Sequence, residues 1–140
     1  MADADEVEEI RRLKARFCRA LDTKDWPAYR QSLTDDVTTD TTEAGGGVVT
    51  GADAFVEHLV GIIGEVSTVH HCHTPEIDLT SPTTAEGIWA MEDMLWFPDG
   101  TALHGYGHYH EAYRRTDADW QIASLRLTRL RTDVRHPTYA

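Results

Sequence analysis

Apolar residues recur at helical spacing from the start of the chain: Val7, Ile10, Leu13, Phe17 and Leu21 form one stripe, with Glu8, Arg12 and Arg19 facing away. This predicts a long first helix. Asp22 lies at the edge of its stripe, one turn beyond Cys18. "TKDWPAYRQSL" then reads as a short second helix, with Asp25 as N-cap and Pro27 in the first turn. "TDDVTTDTTEAGGGVVTG" predicts a hairpin around a loose glycine loop. It is no phosphate loop, because no Lys-Ser/Thr pair follows. "ADAFVEHLVGII" predicts a third helix, with Thr50 as N-cap, Asp53 in the capping-box position and Gly64 at its end. From residue 66 the period changes to that of long strands, at about 66–80, 83–97, 102–115 and 119–132, joined by "TSPTT", "PDGT" and "TDAD". Helices followed by an antiparallel meander indicate an α+β domain spanning 1–140, with 133–140 as a C-terminal tail.

Strand alternation decides how the chemistry-bearing residues divide. In "TVHHCHTPEIDL" (68–79), His70 and Cys72 share one face while His71 and His73 share the other. The run therefore cannot close around one ion by itself. A zinc site would need help from His104, His108 or His110, so no metal or other cofactor is expected. A histidine acting as base needs only a partner for its second nitrogen, and Asp22, on a helix that must pack on the sheet, can supply it. The competing reading, a helix-end carboxylate bonded to local backbone, is the commoner use of such a residue.

In "EGIWAMEDMLW", Trp89, Met91, Asp93 and Leu95 occupy one face, and Ile88, Ala90, Glu92, Met94 and Trp96 the other. Asp93 in an apolar face is a candidate general acid or a satisfied buried polar group. In "LHGYGHYHEAY" the glycines point to an inner face carrying Gly105, Gly107, Tyr109, Glu111 and Tyr113, with His104, Tyr106, His108 and His110 outside.

The formal charge of −11 over 140 residues argues against a nucleic-acid partner. The acidic start "MADADEVEEI" is unlike a signal peptide and no window is long and apolar enough to span a membrane, so a cytoplasmic protein is expected. Cys18 and Cys72 read as free thiols.

Taken together, "EIRRLKARFCRALDTKDWPAYRQSLTDDV", "TVHHCHTPEIDL", "GYGHYHEAYRR" and "DWQIASLRLTRLR" resemble the SnoaL-like proteins of the nuclear transport factor 2 superfamily, over nearly the whole chain. The resemblance implies a cone-shaped α+β barrel, with three N-terminal helices packed in a strongly curved, mostly antiparallel sheet around an apolar pocket. Members include dehydratases, a dehydrochlorinase, an isomerase and polyketide cyclases. By alignment of "ALD" and "TVHH", the residues used by several eliminating members fall on Asp22 and His70, and a further acidic residue falls on Asp93. Phe17, Tyr29, Cys72, Trp89, Met91, Tyr109 and Leu125 are the expected substrate-binding residues. Two departures stand out: Phe17 replaces a functional tyrosine of one relative, and Leu125 stands where another carries a pocket arginine, which would leave the pocket without that cation.

The expectation is a cofactor-independent lyase, a dehydratase or a related β-eliminating enzyme, acting on a small hydrophobic molecule such as a polyketide, steroid or terpenoid. Isomerisation, cyclisation or epoxide hydrolysis on the same fold, or a non-catalytic small-molecule-binding module, are the alternatives. The two-sided apolar strands predict a homodimer through the outer sheet face.

Overall fold

The computed structural model describes residues 2–138. Helix α1 (Ala2–Thr23) is followed by α2 (Trp26–Gln31), β1 (Leu33–Asp40), a single 3-10 turn (Thr42–Ala44), β2 (Val48–Thr50) and α3 (Ala52–Ile63). Four long strands complete the chain: β3 (Ser67–Ser81), β4 (Thr84–Trp96), β5 (Ala102–Thr116) and β6 (Asp119–Arg135). The six strands form one curved sheet in the order β2-β1-β6-β5-β4-β3. The meander is antiparallel throughout, and only β1 runs parallel to its neighbour, β6. The sheet is thus mixed, and the helices pack on its concave side in the α+β arrangement that the periodicity predicts. Among the described residues, no helix is long and apolar enough to cross a membrane.

The stripe of α1 does what its spacing demands, with Ile10, Leu13, Phe17 and Leu21 buried in a core shared with Tyr29, Val37, Phe55 and Ile122. The helix ends in a Schellman closure without glycine. Lys24 takes a φ of 59°, and the backbone N–H groups of Lys24 and Asp25 donate to the carbonyls of Leu21 and Ala20. Asp25 caps α2 by accepting from the Ala28 N–H at 3.2 Å.

Two sequence expectations are corrected. The N-cap of α3 is Gly51 rather than Thr50, and no side chain caps it. The chain leaves β2 through a φ of 100°, a conformation that glycine adopts without steric cost. Asp53 instead accepts from Arg30 Nε at 2.8 Å. Part of the expected tail is strand, since pairing with β5 carries β6 on to Arg135, opposite Ala102, and residues 139–140 lie outside the described residues.

Burial alternates along β4 and β5, putting Trp89, Met91 and Asp93, then Gly105, Gly107, Tyr109, Glu111 and Tyr113, on the inner face. A shift in the β3 register between His73 and Glu76 accompanies the positive φ of Thr74 (40°) and bends the edge strand. His70–His73 lie before that shift and keep strict alternation.

Candidate active site

Asp22 sits in the last turn of α1, and the turn at Lys24 fixes where that helix end meets β3. Its Oδ1 lies 2.7 Å from His70 Nδ1, and its Oδ2 accepts from the His70 backbone N–H at 2.8 Å. Thr68, two residues before His70 and on the same face, donates its hydroxyl to Oδ1 at 3.0 Å. Lys24 Nζ in turn donates to the Thr68 hydroxyl at 2.8 Å. The carboxylate therefore grips both the ring and the main chain of one residue. Burial opposes ionisation of Asp22, but the bonds from the His70 ring, the His70 N–H and Thr68 outweigh it and hold the carboxyl below its ordinary range. An ionised Asp22 is acceptor-only, so the proton between the two groups belongs on Nδ1 and the lone pair of the neutral ring belongs on Nε2. Thr68 and Lys24 were not among the sequence candidates. Thr68 was detectable as the next inward residue of the strand.

Asp93 is the direct cross-strand partner of His70. It is 3 % exposed and bound bidentately by Arg129, Nη1 to Oδ1 at 2.8 Å and Nη2 to Oδ2 at 3.0 Å. Arg129 is two strands away, so its side chain must cross β5. It crosses at Gly105, where a Cβ would overlap both Arg129 Nη1 and Asp93 Oδ1. A guanidinium only donates, so both Asp93 oxygens act as acceptors in this arrangement, which does not suit a general acid.

A third cluster runs beneath α1. Lys14, 1 % exposed, donates to Glu111 Oε2 at 2.6 Å. Tyr113 donates to the other Glu111 oxygen at 2.7 Å, and Trp89 Nε1 donates to the Tyr113 hydroxyl at 2.9 Å. Gly87 makes room for the Tyr113 ring. The Lys14 ammonium also lies 3.7 Å from the Tyr109 ring centroid and 4.1 Å from that of Phe17. Burial favours neutral Lys14, but the Glu111 carboxylate prevails and raises its pKa. Cys18 and Cys72 bring their sulfurs within 3.6 Å. The hydrogen bond from Cys72 lowers the Cys18 thiol to about 7 against the effect of burial, with help from Lys14.

Between α1 and the edge strand β3 opens a groove of about 490 Å³, lined by Lys14, Cys18, Asp22, His70, Cys72 and Trp89, with Arg11, Arg19, His71 and His73 also on its walls. Phe17, Tyr29, Tyr109 and Leu125 do not line it. They are at most 4 % exposed and belong to the core, where Phe17 packs on Tyr29 with centroids 4.6 Å apart and on Tyr109 at 6.4 Å. Met91 is likewise buried, with its sulfur 3.8 Å from Arg129 Nη1.

The family model of the SnoaL-like domain matches residues 2–126. The chain belongs to the SnoaL-like domain family. "Probable cyclase FGR4" of Gibberella zeae is 27 % identical over 137 residues, covering 86 % of this chain and 89 % of that protein. Among solved structures, "Putative Scytalone Dehydratase" from Novosphingobium aromaticivorans superposes with a TM-score of 0.88 at 22 % identity, covering 99 % of this chain and 93 % of the other. Hexachlorocyclohexane dehydrochlorinase LinA-type3 from Novosphingobium barchaimii gives a TM-score of 0.85 at 13 % identity, covering 99 % and 98 %. At these identities the two structures speak for the fold.

Within this SnoaL-like chain, one expectation about charge is corrected. Leu125 is indeed a buried apolar residue, but the inner face does not lack a cation, because Arg129 brings a guanidinium from the same strand. The register shift between Ala112 and Tyr113 resets the parity of β6, so Leu125, Leu127 and Arg129 all face inward.

Proposed function

We propose that this SnoaL-like protein is a lyase-type enzyme that eliminates water or a related leaving group from a small, largely hydrophobic molecule, using His70 as base and Asp22 as its orienting partner. One observation carries the reading: the doubly bonded Asp22–His70 pair, closed by Thr68, on the wall of a groove large enough for a small molecule. His70 Nε2 takes a proton from carbon, and Asp22 stabilises the imidazolium that forms. Negative charge developing on substrate oxygen falls to the basic side chains that line the groove, Arg11, Lys14 and Arg19. The proton that His70 takes is returned from its imidazolium to the departing hydroxyl, which leaves as water. The names of the relatives, a cyclase, a dehydratase and a dehydrochlorinase, support proton abstraction on small molecules and leave cyclisation as the runner-up.

The test uses a panel of β-hydroxy ketones and related eliminable substrates in D2O, with mass spectrometry following loss of water and deuterium uptake at the acidic carbon. The wild type should turn over at least one. D22N should lose roughly 10²- to 10⁴-fold and H70A at least as much, the range of a positioned acid–base group. Full turnover by H70A would rule the mechanism out. Cyclisation without loss of water would favour the runner-up.

The aromatic packing of the cone interior favours a second reading, a small-molecule-binding module that shares the groove without turnover. Saturable binding of a substrate that H70A and the wild type leave equally unchanged would support it.

A further inference from the structure

The alternation that splits "HHCH" also does something on the sheet's other face. His71 and His73 project outward from β3, and Glu92, directly opposite His71 on β4, projects outward beside them. Glu92 Oε1 lies 3.7 Å from His71 Nδ1 and 3.6 Å from His73 Nε2, and all three ligand atoms lie within 4.8 Å of one another. These gaps are too long for hydrogen bonds. They are close to the separation of about 3.3 Å between ligand atoms that share one tetrahedral ion through bonds of roughly 2.0–2.1 Å. From β5, His104 Nε2 reaches the second Glu92 oxygen at 2.9 Å, and the Tyr106 hydroxyl lies 3.3 Å from His104 Nδ1. Glu92 is thus oriented from behind by a histidine, as metal-binding carboxylates commonly are.

We propose that His71, His73 and Glu92 form a binding site for a first-row divalent metal ion, with zinc as the reference ion and His104 as the residue that positions Glu92. Two imidazoles and a carboxylate are borderline donors that suit Zn2+, Ni2+ or Cu2+ better than Mg2+ or Ca2+, which prefer all-oxygen shells. Three protein ligands leave at least one coordination position for water or an external ligand. The site lies on the outward side of the edge strand that carries His70, where His71 and His73 also border the groove. Its occupancy pins β3 to β4 at the His71–Glu92 pair, adjacent to the His70–Asp93 pair.

The experiment titrates the tag-free, chelator-stripped full chain with Zn2+ alone, by calorimetry or competition with a chromophoric chelator. One equivalent should bind. H71A, H73A and E92Q should each weaken binding at least tenfold, H104A should weaken it less, and zinc should raise the melting temperature of the wild type but not of H71A/H73A. The C18S/C72S variant should bind as the wild type does. So should H108A/H110A, which removes the other outward histidine pair of β5, a pair that no ion pair joins to a carboxylate among the described residues. Co2+ in place of zinc should give d–d bands without a thiolate charge-transfer band. Unchanged affinity in H71A/H73A, loss in either control variant, or no saturable binding by the wild type would each overturn the proposal. All the substituted ligands are partly or well exposed, and circular dichroism of each variant separates lost binding from lost fold. None of these readouts depends on the elimination proposed for the inner face.

Discussion

Asp22 satisfies three donors with two oxygens and is the residue on which the proposed chemistry turns. Its carboxyl is held below the ordinary range, so it contributes to stability at every pH above the unfolded value of about 4 and ceases to do so as pH falls through its lower native value. Urea midpoints of the wild type and D22N, compared from pH 7 down to pH 2, should therefore converge only below about pH 4. A constant difference across that range would show that the variant acts through packing alone. How much of the site was legible in the sequence varies from residue to residue. His70 and its face follow from alternation, and Asp22 from its place at the edge of a stripe. Arg129 was hidden for two reasons. A bulge resets the parity of its strand, and in the sequence it is one of three closely spaced arginines, Arg126, Arg129 and Arg131, that nothing tells apart. The readable sign was opposite it: Gly105 clears a lane on the inner face that the Arg129 side chain fills, and Gly107 admits the β6 backbone at Thr128.

At the scale of elements, helix and strand positions were legible because each follows its own hydrophobic period, and the boundaries departed where backbone geometry took over, at Gly51 and at the end of β6. Lys14 was not foreseen, although Ile10, Lys14, Cys18 and Asp22 are spaced four apart and so share one slowly turning face of α1. The lysine fastens that helix to β5 through Glu111. K14M should cost about 3–5 kcal/mol, the usual effect of leaving one member of a buried ion pair alone, and K14M/E111Q should recover part of that loss. Denaturant unfolding of the two variants and of E111Q checks the coupling. Additive losses would mean that the lysine is held by its stem and the two aromatic rings rather than by the carboxylate.

For the whole molecule, the outer face of the sheet carries exposed Ile88 and Trp96, beyond what the helices on the other side can cover. We propose that a second copy of the chain covers it. Sedimentation equilibrium at micromolar concentration should give about twice the monomer mass, and W96K should shift the protein toward monomer, whereas a wild-type monomer would leave that face to another partner. The sheet order has a consequence for how the protein is made. The first strand, Leu33–Asp40, lies against the last, Asp119–Arg135, and both are interior strands. During synthesis β1 must wait for nearly the entire chain before its inner edge is paired, while α1 is complete and exposing its apolar stripe almost from the outset. Chaperone demand on the ribosome should therefore persist until the C-terminal strand emerges, and a chain ended before Asp119 should be a substrate for proteolysis rather than a smaller folded domain.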